Sequence, residues 1–557
     1  MVPDPVRIIN AARGLVAADA VFTNAEIFNP FTCSWQRGNL AVTDGIVLGT
    51  GEYSGETERD MQGSYLVPGL IDAHVHIESS LLTPHEYARL VAGSGTATVV
   101  ADPHEIANVA GAKGIGYMLR ERHGLPVDIR FMLPSCVPAT PKDMGGAVLT
   151  ASDLKRLKGR KGIEGLGEMM NFPGTLAADH EILEKISLFR ICDGHAPLLS
   201  GKDLNAYICA GPSSDHECTR ISEAEEKLEK GMYIYLREGS TEHNIRELAP
   251  VVTPHTVSRC CFATDDCHAD LLYDDGHIDR CIRTAIGCGI EPELAIRMAT
   301  LSAAERFGFS DRGALSPGRR ADFCVVDDPE KFRVRQVFVA GKEYAGMSPS
   351  RRPVPPFPFR CKPPAPESIR ISGKGTARVI QLVPHQIITE AYPADCDGST
   401  LPDPGRDLMK VVVCNRYGTG SVGTGLVKGF GFMKGAIAST VAHDTHNLIA
   451  AGASDREILA AISEVVAMKG GMAAVIGDQK AILPLDCGGL MSSLPCEEVV
   501  GKLRGLHAMT RSMGGIEDPF MYLSFLSLTV IPALRITDRG VFDVTAFSDV
   551  PLFVTPS

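Results

Sequence analysis

Two histidines stand one residue apart in "PGLIDAHVHIESS" (Pro68 to Ser80), directly after an apolar run that reads as a buried strand. Side chains two apart in a strand share a face, so His74 and His76 can aim both imidazoles at one point. That geometry suits a transition metal. Such sites want four or more ligands, and about six where two ions are held together. The pair therefore demands partners elsewhere in the chain.

The elements that would position those partners follow from the rhythm of the sequence. From Leu66 onward, strand-like and helix-like stretches alternate, which predicts a parallel sheet with crossover helices. Eight strand candidates stand out: "YLVPGLIDA", "ATVVADP", "IRFMLPS", "IEGLGEM", "LFRICDG", "AYICAGP", "MYIYLRE" and "CCFATDD". Eight units in roughly 250 residues is the size of a (β/α)8 barrel, whose chemistry sits at the C-terminal ends of its strands. Further ligands should fall at those ends, and they do. Glu168 ends the fourth candidate, His195 follows the fifth in "CDGHAP", His216 follows the sixth in "GPSSDHE", and Asp265 ends the eighth in "FATDDCHADLL". With His74 and His76 they make a set of six.

Other polar residues share the same end of the predicted barrel. Asp102, His104 and Glu105 follow the second strand, Glu78 follows the histidine pair, and Arg237 and Glu238 end the seventh strand. Each is a candidate substrate contact. Glu78 and Glu105 could equally orient a metal-bound histidine, and Arg237 with Glu238 could be a structural ion pair. His268 and His277 read as loop residues, and His243 and His255 have no positional support.

The fold class expected is α/β: a TIM-like barrel over residues 66–312, a small discontinuous β-domain from 1–65 and 313–346, and an α+β domain over 369–557. Asp44-Gly45 marks a hairpin in the β-domain. The proline-rich run at 347–368 reads as an extended linker. The last domain carries strands "ARVIQLV", "KVVVCNR" and "GSVGTGLVKGF", and a helix near "SDREILAAISEVVAMKGG". Its "AHDTHN" holds His443, Asp444, His446 and Asn447, read first as a hydrogen-bonded turn or a pocket wall, with a second metal site as the alternative. The domain is expected to pack on the barrel and close its pocket, against the alternative of an independent binding function.

Composition bounds the partners. Hydrophobic residues make up 44% and charged residues 22% of the 557, ordinary values for a globular protein. A formal charge of -12 argues against nucleic acid and anionic membranes, and favours a small-molecule substrate. The N-terminus lacks a secretory pattern and no apolar run approaches a membrane span, so a cytoplasmic location is expected. The sixteen scattered cysteines read as small buried hydrophobes in a reducing compartment.

The constellation resembles the amidohydrolase superfamily, with "PGLIDAHVH" and "SPGRRADFCVVDD" bracketing the barrel. Members often carry a carboxylated lysine on strand four, where this chain has Glu168. Read with "DPHEIANVAG", "GLGEMMNFPG" and "VAHDTHN", the motifs are similar to the bacterial adenine deaminases over nearly the whole chain. The resemblance implies a binuclear centre of manganese or iron, with Zn(II) also compatible with the ligands, acting on a purine in salvage, in a homo-oligomer, expected as a dimer. It implies that His74 and His76 hold one ion with Asp265, His195 and His216 hold the other, and Glu168 bridges. Asp265 and Glu105 are the proton-handling candidates. The alternatives are an amidohydrolase of another nucleobase, cyclic amide or N-acetyl substrate, and a binding scaffold, which would be expected to have lost ligands.

Overall fold

The computed structural model describes residues 4–384, 386, 388–398 and 401–554. Eight parallel strands form the barrel: Leu70–Val75, Thr96–Ala101, Asp128–Leu133, Ile163–Met169, Cys192–Gly194, Ser214–Asp215, Tyr233–Arg237 and Cys260–Ala263. Strands one to five pair in sequence order, as do six to eight. Two backbone seams close the ring. Ser213 N–H donates to the Cys192 carbonyl at 3.0 Å, and at the other seam Asp265 N–H donates to His74 (3.1 Å) and His76 N–H to Asp265 (3.2 Å). The second seam places a candidate ligand from strand eight beside two from strand one.

Two strand expectations need correction. "AYICAGP" is not the sixth strand but lies largely in the helix Gly201–Ala210. Leu204 and Tyr207 are its buried residues, three apart, while the side chains between them face solvent, so the apolar period there is helical. The sixth strand is the short Ser214–Asp215, which brings His216 directly to a strand end. "YLVPGLIDA" is two strands: Tyr65–Pro68 belongs to the β-domain sheet, and the barrel begins at Leu70. Gly69 makes the switch possible, since a Cβ there would stand 2.5 Å from the Ala97 Cβ.

The β-domain sheet draws on both sides of the barrel sequence. Strands Ala18–Asn29, Ser34–Thr43, Ile46–Thr50, Gly55–Asp60 and Tyr65–Pro68 pair with Phe323–Val326, Val334–Val339 and Lys342–Glu343 in one sheet. Its tight hairpin turns at Asp44 and Gly45, both at positive φ (52° and 74°), as a type I′ turn requires. Chain 347–365 then runs without regular secondary structure.

The C-terminal region forms a second eight-stranded sheet, which includes Gly375–Leu382, Met409–Cys414 and Val422–Lys428. Helix Asp455–Met468, capped by the Ser454 side chain, buries Ile458, Ala461, Ile462 and Val465 against it. One continuous apolar cluster joins this sheet to the barrel helices, running from Val75, Tyr87 and Ile106 to Ile437, Leu490 and Leu503. Polar contacts reinforce the join: Ser492 N–H donates to the Leu81 carbonyl at 2.8 Å, and Glu86 accepts the Cys496 N–H at 3.0 Å.

A chain ended at Pro366 would expose the barrel half of that cluster to water. Such a truncation is expected to be insoluble or inactive in expression trials; a soluble barrel with full activity would refute the shared core.

Candidate metal centre and active site

Strand one is buried along its whole length, and its period of two puts His74 and His76 on one side with their Nε2 atoms 3.1 Å apart. His76 Nδ1 is 3.0 Å from the Asp102 carbonyl oxygen, which fixes that nitrogen as the donor and leaves Nε2 free to ligate. Asp72, one step back, accepts the His74 N–H and takes bonds from the Thr264 N–H and hydroxyl, tying strand one to strand eight.

Glu168 stands between two imidazole pairs. Its Oε1 lies 3.2 Å from His76 Nε2 and 3.7 Å from His74 Nε2, while Oε2 lies 2.7 Å from His195 Nδ1 and 3.3 Å from His216 Nε2. Asp265 joins the first pair, with Oδ1 3.1 Å from His76 Nε2 and 3.4 Å from His74 Nε2. All six side chains are buried. The structure therefore brings together the whole predicted ligand set.

This donor set fits divalent metal. Imidazole nitrogens and carboxylate oxygens of buried residues converge here at ligand-to-ligand spacings. His74, His76 and Glu168 form one potential ligand group, and Glu168, His195 and His216 another, so the glutamate belongs to both. Burial opposes charge on Glu168 and Asp265. Contacts with His195, His216 and His76 still hold Glu168 well below the carboxylate range, and Arg237 and His74 do so for Asp265.

The surrounding residues hold this set in place. Asp102 Oδ2 accepts the Glu168 N–H at 3.1 Å. The contact exists because residue 167 is glycine: a Cβ there would sit 2.0 Å from that oxygen. Arg237 donates to Asp265 Oδ2 at 2.7 Å and to Glu217 Oε1 at 2.5 Å. Its ion pair is thus not with Glu238, whose carboxylate faces His243 at 2.8 Å. His277 bonds Tyr87 and Thr96 in the interior, and its Nε2 lies 3.1 Å from Asp72 Oδ2.

The metal ligands His76, Glu168, His195, His216 and Asp265 line one cavity. Its walls include the predicted His104, Glu105 and Arg237. Glu78, Asp102 and Glu238 are not among its lining, and Glu78 Oε1 accepts the Ile106 N–H at 3.2 Å. The C-terminal region supplies His443, Asp444, Phe525 and Leu528. Glu105 is held there at both oxygens, by His443 Nδ1 (2.6 Å) and by His446 Nε2, while His104 Nε2 stands 3.2 Å away. His443 and Asp444 of the "AHDTHN" cluster thus stand in the cavity wall, and Glu105, His443 and His446 also form a potential metal-ligand group.

Several cavity residues escaped the sequence reading: Glu217, Glu242, Asp266 and the apolar Phe525 and Leu528. Glu217 and Asp266 each follow a ligand directly, a signal that was available. Phe525 stacks on His443 at 4.7 Å between ring centroids, and nothing local marks it. Burial pushes the Asp444 and Glu242 carboxyls up to about 7, so both can carry a proton near neutral pH.

Comparison with known proteins agrees with this arrangement. Residues 65–344 match the profile of the amidohydrolase family, and residues 386–548 that of the adenine deaminase C-terminal domain. An adenine deaminase of Methanoregula boonei is 62% identical over 99% of both chains. The chain belongs to the adenine deaminase family. An adenine deaminase of Methanoculleus marisnigri is 58% identical over 92% of this chain and 99% of its own, and adenine deaminase 2 of Carboxydothermus hydrogenoformans is 45% identical over 98% and 99%. Membership of the amidohydrolases implies divalent metal, and no helix among the described residues is long and apolar enough to cross a membrane.

Replacing Asp102 by Asn removes the charged acceptor that fixes Glu168. Metal affinity, read by chelator competition, is expected to fall about 10–100-fold; unchanged affinity would show that Glu168 is positioned without it.

Proposed function

We propose that the chain hydrolyses adenine to hypoxanthine and ammonia at a binuclear centre, with His74, His76 and Asp265 holding one ion, His195 and His216 the other, and Glu168 shared. The observation that carries this reading is the placement of the two Glu168 oxygens, one toward each imidazole pair. Family membership supports the substrate. Imidazole and carboxylate together suit Mn(II) or Fe(II), with Zn(II) compatible. Two such ions supply a water of lowered pKa as the nucleophile at neutral pH.

The protein groups then divide the proton work. Water adds at C6 of the purine and the exocyclic amine leaves as ammonia, so both protons of the water must leave the attacking oxygen, one in balance reaching the leaving nitrogen and one the ring nitrogen. Asp265 belongs to the ligand set, and it is the group assigned to that transfer. Arg237 keeps its outer oxygen occupied and its carboxylate ionised until the proton arrives. Protonation of a ring nitrogen requires a neutral acid in the cavity. Glu105, the earlier candidate, is committed to His443 and His446 and held well below the carboxylate range against its burial. Asp444, lifted to about 7 on the same wall, is assigned that role instead. His104 and Arg237 remain candidate purine contacts. The setting proposed is purine salvage by a homo-oligomer, a dimer, in the cytoplasm; sixteen free thiols fit a reducing compartment.

The deciding assay is ammonia release from adenine by protein produced with manganese, with metal content measured on the same sample. Conversion to hypoxanthine at about two ions per chain is expected; two bound ions without turnover would move the substrate to another base or a cyclic amide. Glu168→Gln should lower kcat/KM by about 10²-fold or more together with metal content, and full activity with intact metal content would sink the shared-ligand reading.

A further inference from the structure

Away from the catalytic cavity, a second set of metal-ligating side chains collects where the barrel meets the C-terminal region. His268 stands immediately before helix Ala269–Asp275, three residues past Asp265. His507 lies on helix Cys496–Ser512, which packs against it. Asp518 stands immediately before helix Pro519–Phe525. Three separate chain segments thus converge here.

The spacings are those of ligands. His268 Nδ1 is 3.5 Å from Asp518 Oδ2, and His507 Nε2 is 3.6 Å from Asp518 Oδ1. Both nitrogens are buried and neither makes a hydrogen bond, and His268 is only 4% exposed. An N–H···O bond spans about 2.7–3.2 Å. Two donors each about 2.0–2.1 Å from a tetrahedral zinc ion lie about 3.3–3.5 Å apart, close to the spacings here. On the far side of the His507 ring, Nδ1 is 3.4 Å from Asp270 Oδ2, an ion-pair contact longer than a hydrogen bond. A carboxylate on the second ring nitrogen is the usual partner of a metal-bound histidine, because it fixes the tautomer and raises ligand basicity.

We propose that His268, His507 and Asp518 bind one divalent transition-metal ion of zinc type, separate from the catalytic centre, with Asp270 orienting His507. Imidazole with carboxylate is the donor chemistry that suits such an ion, and a fourth position is left for water. The ion ties the loop after strand eight, which carries Asp265, to the helix whose Phe525 lines the cavity. Its loss loosens that wall and raises KM for the substrate more than it lowers kcat. The competing arrangement is an imidazolium held between two carboxylates. Burial pulls the His507 pKa down, but Asp270 and Asp518 outweigh it and raise it to about 10 in the metal-free protein.

Equilibrium dialysis of metal-stripped, full-length protein against Zn(II) separates the two. The expected result is one more ion per chain in the wild type than in His507→Gln, with Asp270→Asn keeping that ion but binding it about 10–100-fold more weakly. Equal stoichiometry in wild type and His507→Gln overturns the site. Because the readout is a difference between variants, it holds whatever number of ions the catalytic centre takes. Should His507→Gln fail to fold, Asp270→Asn decides alone: unchanged affinity in every class of bound zinc overturns the proposal.

Discussion

One buried carboxylate, that of Glu168, must present an oxygen to each of two imidazole pairs, and the open end of the barrel is arranged around that requirement. Glu168 can do so only if its backbone is fixed and its neighbours are dry. Asp102 fixes the backbone by accepting its N–H, which in turn demands a glycine at 167. Burial supplies the dryness, and burial alone would protonate the side chain; the histidines around it keep it ionised. A carboxylate so placed is costly to hold without cations, which makes the site a receptor for metal as much as a product of folding.

The same logic recurs on the cavity wall. Glu105 is also fully enclosed, and it is compensated across the junction by His443 and His446 of the C-terminal region. Removing those partners would leave a buried, unpaired carboxylate beside the site, a change that typically costs several kcal/mol. The C-terminal sheet is therefore coupled to the active end of the barrel twice, through a shared apolar cluster and through this charge pairing. Polar coupling of that kind fixes register where apolar packing alone would tolerate sliding.

Much of this was legible in the sequence because the signals are local. A period of two after an apolar strand exposes His74 and His76, and the order of strands and helices announces the barrel. Once the barrel is assumed, position at a strand end nominates Glu168, His195, His216 and Asp265. The misreading of "AYICAGP" shows the limit of local pattern, since a short apolar run fits helix and strand alike until burial three residues apart is seen. His216 was still found, because its place after an element mattered more than the type of that element.

The chain by itself determined which residues can ligate metal, that they lie at one end of a parallel barrel, and that the family is that of the adenine deaminases. Only the tertiary structure decided that Arg237 pairs with Asp265 and Glu217 and not with Glu238, that Glu105 is committed to histidines more than 330 residues away, and that Phe525 and Asp444 wall the cavity. The division has a physical reason. Strand period and element order are set by neighbours along the chain, whereas the partner of a buried charge is set by ring closure and by the packing of two sheets. Those bring together groups whose separation in sequence carries no information about their distance in space.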